Sequence, residues 1–90
     1  MTRTLNAANA AQYAVVNTYF WQGVWYFGVE LRNMQTHRMD AAYDSRTMGN
    51  NNVDFMRATS NHTPLNNGGF NSEKEAQRAG EWFGECKRIR

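Results

Sequence analysis

The sequence predicts a small α+β domain in which an antiparallel sheet of three or four strands packs against a C-terminal helix. Two runs, Tyr13 to Trp21 and Val24 to Arg32, are dense in Val, Tyr, Phe, Trp and Thr, as pleated strands are. Gln22-Gly23 between them suits a two-residue hairpin turn. Farther along, Ser72-Glu73-Lys74-Glu75 has the form of a helix capping box. The 90 residues suit one domain, residues 1–90.

The turn position decides which hairpin residues share a face of the sheet. If Gln22-Gly23 is the turn, Trp21 faces Val24 and the remaining pairs follow along both strands. One face is nearly all apolar and is the expected core, pairing Phe20 with Trp25, Thr18 with Phe27, Val16 with Val29, and Ala14 with Leu31. The outer face is mixed, pairing Trp21 with Val24, Tyr19 with Tyr26, Asn17 with Gly28, Val15 with Glu30, and Tyr13 with Arg32.

The segments around the hairpin are less regular. Thr4 to Gln12 predicts either a short N-terminal helix or an extended arm. His37 to Met48 alternates and predicts a third, half-buried strand. One side of this strand carries Met39, Ala41 and Tyr43. The other side carries Arg38, Asp40, Asp44 and Arg46. Val53 to Thr59 predicts a short fourth strand, and Ser60 to Gly69 predicts a loop.

The C-terminal helix is expected to begin after Ser72, which caps it, with Glu75 reaching back to the cap. A period of 3.6 residues predicts one buried face. That face carries Ala76, Ala79, Phe83 and Cys86, with Trp82 and Ile89 at its margin. Gly80 and Gly84 each cost about 1 kcal/mol relative to alanine in a helix interior. They therefore indicate either close packing against the sheet or fraying after Gly84.

Charge and cysteine content narrow the class of protein. A net charge of +2 and a pI of about 9.0 permit nucleic-acid binding without demanding it, and they disfavour a mimic of DNA. Cys86 is the only cysteine, so no internal disulfide can form, and a reducing cytoplasm is expected. No signal-peptide core follows Met1. Polar residues break the longest apolar region, Ala14 to Leu31, so no membrane span is expected.

Residue types that carry catalysis or bind metals are scattered. His37 and His62 have no partner at ligand spacing, and one cysteine beside two separated histidines does not make a closed metal site. A nucleophilic Cys86 would need one of these histidines and a third group that orients it. A buried thiol that packs as a small hydrophobe is the simpler interpretation. The sequence predicts no catalytic residue, no metal and no cofactor, and a protein that binds rather than an enzyme.

The outer hairpin face is the predicted contact surface. Its aromatic rings form an apolar patch, and such patches mark interaction sites unless another segment or a second copy of the chain covers them. Tyr, Trp and Arg are also enriched at interface hot spots. The candidate partner-binding residues are Tyr19, Trp21, Tyr26 and Arg32, with Arg38 and Arg46 as steering charges.

The arginines leave other interpretations open. Neighbouring carboxylates could balance them on a solvated surface that has no partner. With Tyr19 and Tyr26, Arg32 and Arg46 could instead form a cationic face that binds DNA or RNA by stacking and phosphate contacts. A homodimer is a further form of partner for the same rings.

The residues that begin the C-terminal helix are similar to a motif in known proteins. The segment Gly69-Phe70-Asn71-Ser72-Glu73-Lys74-Glu75-Ala76 resembles the F-x-S-x-x-E-A helix start that follows a small antiparallel sheet in many phage and mobile-element proteins. Among these are integrase arm-binding domains and small anti-CRISPR proteins. The resemblance implies a phage-encoded accessory protein in the host cytoplasm. It further implies that the protein inhibits a host defence complex by binding a host protein or a protein–nucleic acid complex.

Overall fold

The structure, a computed structural model, describes residues 11–48 and 68–89. Three antiparallel strands form one sheet in the order β1 (Gln12–Trp21), β2 (Val24–Asn33) and β3 (Met39–Asp44). The one-turn helix α1 (Ser45–Met48) follows β3, and the longer helix α2 (Glu73–Lys87) covers the sheet. The predicted α+β fold is therefore confirmed. The predicted N-terminal helix or arm, apart from its last two residues, and the predicted fourth strand, residues 53–59, lie outside the described residues.

The hairpin has the predicted turn and register. Gln22 and Gly23 have φ angles of 50° and 81°, the positive values that the mirror-image turns of tight hairpins require. Every predicted pair is observed, from Trp21 opposite Val24 to Tyr13 opposite Arg32. The register thus separates the residues that face α2 from those that face away.

The core lies between α2 and one face of the sheet. Its buried members are Phe27, Val29, Leu31, Phe70, Ala76, Ala79 and Phe83. The N–H of Glu75 donates to the Ser72 hydroxyl at 3.2 Å, which confirms the predicted cap. A Cβ at Gly80 would lie only 2.6 Å from Cγ1 of Val16. Because α2 continues to Lys87, the helix glycines mark close packing rather than the end of the helix.

The predicted third strand was too long at both ends, and its C-terminal end has a clear cause. Ser45 turns the chain out of β3 into α1, and its buried hydroxyl accepts a hydrogen bond from the N–H of Phe27 at 3.0 Å. Two residues before Phe27 in β2, Trp25 exchanges two backbone hydrogen bonds with Phe70, at 2.8 and 3.1 Å. Ser45 and Phe70 therefore replace β3 as partners of the β2 edge. Of the predicted loop Ser60 to Gly69, residues 60–67 lie outside the described residues, and Gly68 and Gly69 directly precede Phe70.

Two residues that were predicted to face the core are exposed. Phe20 has 59% of its surface exposed, because α2 begins beside Thr18 and the hairpin extends past the helix. The Thr18 hydroxyl donates to the carboxylate of Glu73 at that point, at 3.1 Å. Cys86 is exposed as well, because the side of α2 that faces the sheet includes Gly84 and does not extend round the helix to Cys86.

Candidate functional site

Four of the six predicted contact residues meet at the tip of the hairpin, and we call Tyr19, Trp21, Tyr26 and Arg46 the tip cluster. The rings of Tyr19 and Tyr26 stack, with centroids 5.4 Å apart and planes inclined by 24°. The ring of Trp21 lies 6.4 Å from that of Tyr26. The guanidinium carbon of Arg46 lies 4.4 Å from the centroid of the Trp21 ring, a cation–π contact. The hairpin and α1 therefore share one aromatic and cationic surface.

Asp44, the last residue of β3, holds the tip cluster together. The Tyr19 hydroxyl donates to both of its carboxylate oxygens, at 2.8 and 2.9 Å. The backbone N–H of Arg46 donates to one of the same oxygens at 2.8 Å. A hydrogen bond to a charged acceptor is stronger than one between neutral groups. Asp44 thus fixes the start of α1, which carries Arg46, relative to the stacked tyrosines.

The protonation state of Tyr19 follows from this environment. Burial raises the pKa of the Tyr19 hydroxyl, and the hydrogen bond to Asp44 raises it further, whereas Arg46 lowers it. A tyrosinate would lose its hydrogen bond to Asp44 and would be repelled by the carboxylate. The Tyr19 hydroxyl therefore remains a hydrogen-bond donor to Asp44 at neutral pH.

Tyr26 is not exposed on the outer face, which corrects the prediction for this residue. It is only 5% exposed, because Tyr19 and Trp21 cover it from one side. Gly69 covers the other side, where a Cβ would lie 3.5 Å from a ring carbon of Tyr26. Tyr26 therefore supports the neighbouring rings instead of offering a surface of its own.

The rings that the hairpin does expose are Phe20, at 59%, and Trp21, at 43%. The ring of Phe20 packs against that of Trp25, with centroids 5.1 Å apart and planes inclined by 55°. The sequence pattern placed Phe20 in the core and so missed it as a contact residue. Alternation assigns a side chain to a face, but it does not show how far along the strand the covering helix reaches.

The remaining predicted contact residues, Arg32 and Arg38, lie at the opposite end of the sheet. Arg32 forms an ion pair with Glu30 at 2.9 Å and donates to the carbonyl oxygen of His37 at 2.9 Å. Arg38 is exposed beside this turn. Tyr13, the β1 partner of Arg32, lies roughly 20 Å along the strand from Tyr19. The structure therefore does not bring Arg32 or Arg38 into the tip cluster.

A shallow concavity of about 410 Å³ separates the two ends of the outer face. Gly28 is one of the residues that line it, and a Cβ there would lie 2.8 Å from the side-chain oxygen of Asn17. Glu30, Asp44 and Thr47 are among the residues that line it. The two carboxylates disfavour an anionic ligand at this place.

Within residues 11–48 and 68–89, no group of three or more His, Cys, Asp and Glu residues is placed to hold a metal ion. No helix in this part of the chain has the length and apolar character needed to cross a membrane. No family model, no curated protein and no solved structure matches the chain.

Proposed function

We propose that this chain is a non-enzymatic binding protein that contacts a partner protein, alone or within a nucleoprotein complex, through the tip of its hairpin. The observation that carries this proposal is the exposure of two large rings, Phe20 and Trp21, on buried or half-buried neighbours that hold them in place. Aromatic side chains bury much area on binding. Rings that are already held in one orientation also lose less conformational entropy when a partner binds.

The charges on the outer face support a protein partner over a nucleic acid. Arg32 is ion-paired with Glu30, and the side chains of Arg46 and Asp44 both act on the Tyr19 hydroxyl, so positive and negative groups alternate on this face. A surface that follows a phosphate backbone needs a surplus of positive charge. The alternative function, a small DNA- or RNA-binding domain, is supported by the Trp21 ring and the Arg46 guanidinium, a pair of groups on which a base can stack.

The partner that we propose is a component of a bacterial defence complex, and the chain is then a phage-encoded inhibitor that acts in the host cytoplasm. The support for this is the resemblance of the segment Phe70 to Ala76 to the helix start of small anti-CRISPR proteins. An inhibitor of this kind needs no chemistry of its own, because covering a site on a larger complex is sufficient.

Expression of the chain in bacteria that carry individual defence systems tests inhibition directly, with the plaque number of a targeted phage as the measurement. We expect the unaltered chain to raise plaque numbers against one system and Trp21→Ala to lose most of this effect. Truncation of a hot-spot ring costs roughly 2 kcal/mol or more, about 30-fold in affinity. Met34→Ala is the matched control, because Met34 is equally apolar and 53% exposed but lies in the turn between β2 and β3.

Two outcomes would contradict the proposal. One is the absence of any effect on every defence system tested together with no specific protein captured by the immobilised chain. The other is equal activity of Trp21→Ala and Met34→Ala. A gel shift with DNA and RNA over a range of salt concentrations tests the alternative function, because phosphate-driven binding weakens steeply as salt rises.

A further inference from the structure

The outer edge of β1 carries backbone groups that point away from the sheet. On β2, the N–H groups of Trp25 and Phe27 are bound to Phe70 and Ser45, on the side away from β1. Hydrogen bonds alternate along an antiparallel pair, so the residues of β1 that face these positions also direct their N–H and C=O groups outward. They are Ala14, Val16, Thr18 and Phe20.

The first outward position of β1 shows what this edge can bind. Gln12 continues the same alternation, and its N–H donates to the carbonyl oxygen of Ile89 at 2.9 Å. Its carbonyl oxygen accepts from the guanidinium of Arg88 at 2.9 Å. From Ala14 to Phe20, over roughly 20 Å, the outward backbone groups meet no backbone partner in residues 11–48 or 68–89. This stretch can therefore pair with another extended chain.

A row of polar and acidic side chains on α2, which we call the acidic row, runs beside this edge. Residues four apart lie in line on a helix, and the row consists of Glu73, Gln77, Glu81 and Glu85. Glu73 contacts Thr18 of β1, whereas Phe83 and Lys87, on another side of the helix, contact Tyr43 of β3. The row therefore lies on the side of α2 that borders the open edge of the sheet.

A cleft of about 370 Å³ lies between the acidic row and the β1 edge. Its lining includes Ala14, Val16, Glu81, Trp82 and Glu85, and Trp82 is 42% exposed. Arg88 also lines the cleft, but it is engaged by Glu85 in an ion pair at 3.0 Å and by the Gln12 carbonyl oxygen. The cleft thus places the Glu81 carboxylate beside backbone groups of β1 that have no backbone partner among the described residues.

We propose that the β1 edge from Ala14 to Phe20 binds an extended, basic peptide segment of a partner protein as an added strand. The peptide backbone pairs with the outward groups of β1, which is the usual mode of strand addition. Its alternate lysine or arginine side chains lie along Glu73 and Glu81. This surface is additional to the tip cluster, and different substitutions test the two.

The first test uses the unaltered full chain and a peptide of about ten residues, ~33 Å when extended, that alternates lysine and valine. Titration should shift the amide signals of Ala14, Val16, Thr18 and Phe20 in NMR spectra. Two control peptides separate charge from backbone pairing. One alternates glutamate and valine, and the other is the lysine peptide with methyl groups on alternate backbone nitrogens. Each control should bind at least about tenfold more weakly, because one loses the attraction to the acidic row and the other loses backbone hydrogen bonds.

The second test changes the edge itself. Thr18→Pro removes the outward N–H, whereas the matched control Thr18→Val keeps it, and both lose the hydroxyl that is bound to Glu73. The proline variant should bind the lysine peptide roughly tenfold more weakly than the valine variant. Glu81→Gln should weaken binding about threefold at low salt. If Thr18→Pro does not fold, the methylated peptide with the unaltered chain decides.

Three results would overturn the proposal. The first is equal binding of the lysine, glutamate and methylated peptides, or the failure of all three peptides to bind. The second is equal affinity of folded Thr18→Pro and Thr18→Val for the lysine peptide. The third is strong protection of the four outward amides from hydrogen exchange before any peptide is added, because another part of the chain or a second copy would then already occupy the edge.

Discussion

Replacement of Gly80 by alanine should destabilise the domain, although alanine is the better helix former. The added Cβ would lie 2.6 Å from Cγ1 of Val16 and 3.1 Å from Cγ of Phe27, whereas carbon atoms prefer a separation of about 3.5–4.0 Å. Phe27 is fully buried, so it has no space into which to move. The helix must therefore retreat from the sheet by roughly 1 Å to restore normal contact distances.

The magnitude follows from two opposing contributions. Overpacking of a core costs about 1–3 kcal/mol, whereas replacing a helical glycine returns about 1 kcal/mol of intrinsic propensity. The free energy of unfolding should therefore fall by about 1 kcal/mol in Gly80→Ala. For a domain of this size such a change lowers the Tm by roughly 4–8 °C. Urea unfolding and thermal unfolding both measure it.

A double-mutant cycle with Val16→Ala isolates the cause. This second substitution removes Cγ1, the atom closest to the new Cβ. In the Val16→Ala background, Gly80→Ala should be neutral or stabilising, with a coupling energy of about 1 kcal/mol between the two positions. Stabilisation by about 1 kcal/mol in the unaltered chain, as propensity alone dictates, would refute the reasoning. An equal effect in both backgrounds would show that Val16 does not limit the approach of the helix.

Two further predictions concern the tip cluster and the helix cap. Because burial and Asp44 raise the pKa of Tyr19, the folded chain binds this proton more tightly than the unfolded chain does. The resulting stability is present below the ordinary tyrosine pKa of about 10 and is lost above it. The free energy of unfolding should thus fall less steeply above that pH in Tyr19→Phe, and identical slopes for the two proteins would contradict this. Ser72→Ala should cost about 1 kcal/mol in thermal unfolding and Ser72→Gly only a few tenths, and equal losses would show that the hydroxyl does not act as the cap.

The register of the hairpin could be predicted from the sequence, because one two-residue turn determines every later pair. The same alternation could not show what covers each face. Phe20 lies on the apolar face but beyond the start of α2, and Tyr26 lies on the outer face but beneath Trp21 and Gly69. The exposure of Phe20 depends on where α2 begins, and the burial of Tyr26 depends on where Gly69 packs. Both segments are distant in sequence from the hairpin. Local pattern carries no information about those positions.

The candidate site likewise contains some contacts that could be predicted from the sequence and others that could not. Tyr19 and Trp21 were placed together by the hairpin register alone. The contact of Arg46 with Trp21 could not be predicted, because it requires β3 to end at Asp44 and α1 to begin there. That turn depends on the hydrogen bond between Ser45 and Phe27, which joins two segments with no recognisable motif. The exposure of Cys86 likewise depends on the rotation of α2 that its buried glycines allow.

Strand β1 serves both proposed surfaces through different groups. At Tyr19 and Trp21 the backbone is directed towards β2 and the side chains lie on the outer face, whereas the outward-directed backbone belongs to residues whose side chains lie on the other face. An added strand therefore takes none of the positions that the rings of Tyr19 and Trp21 occupy. The two surfaces meet only at Phe20, whose ring is exposed at the tip and whose backbone ends the open edge. Because Phe20 and Trp21 are already held by Trp25 and Tyr26, a strand that pairs with the edge does not need to reorder them. We therefore expect the edge and the tip to bind their partners at the same time on one molecule.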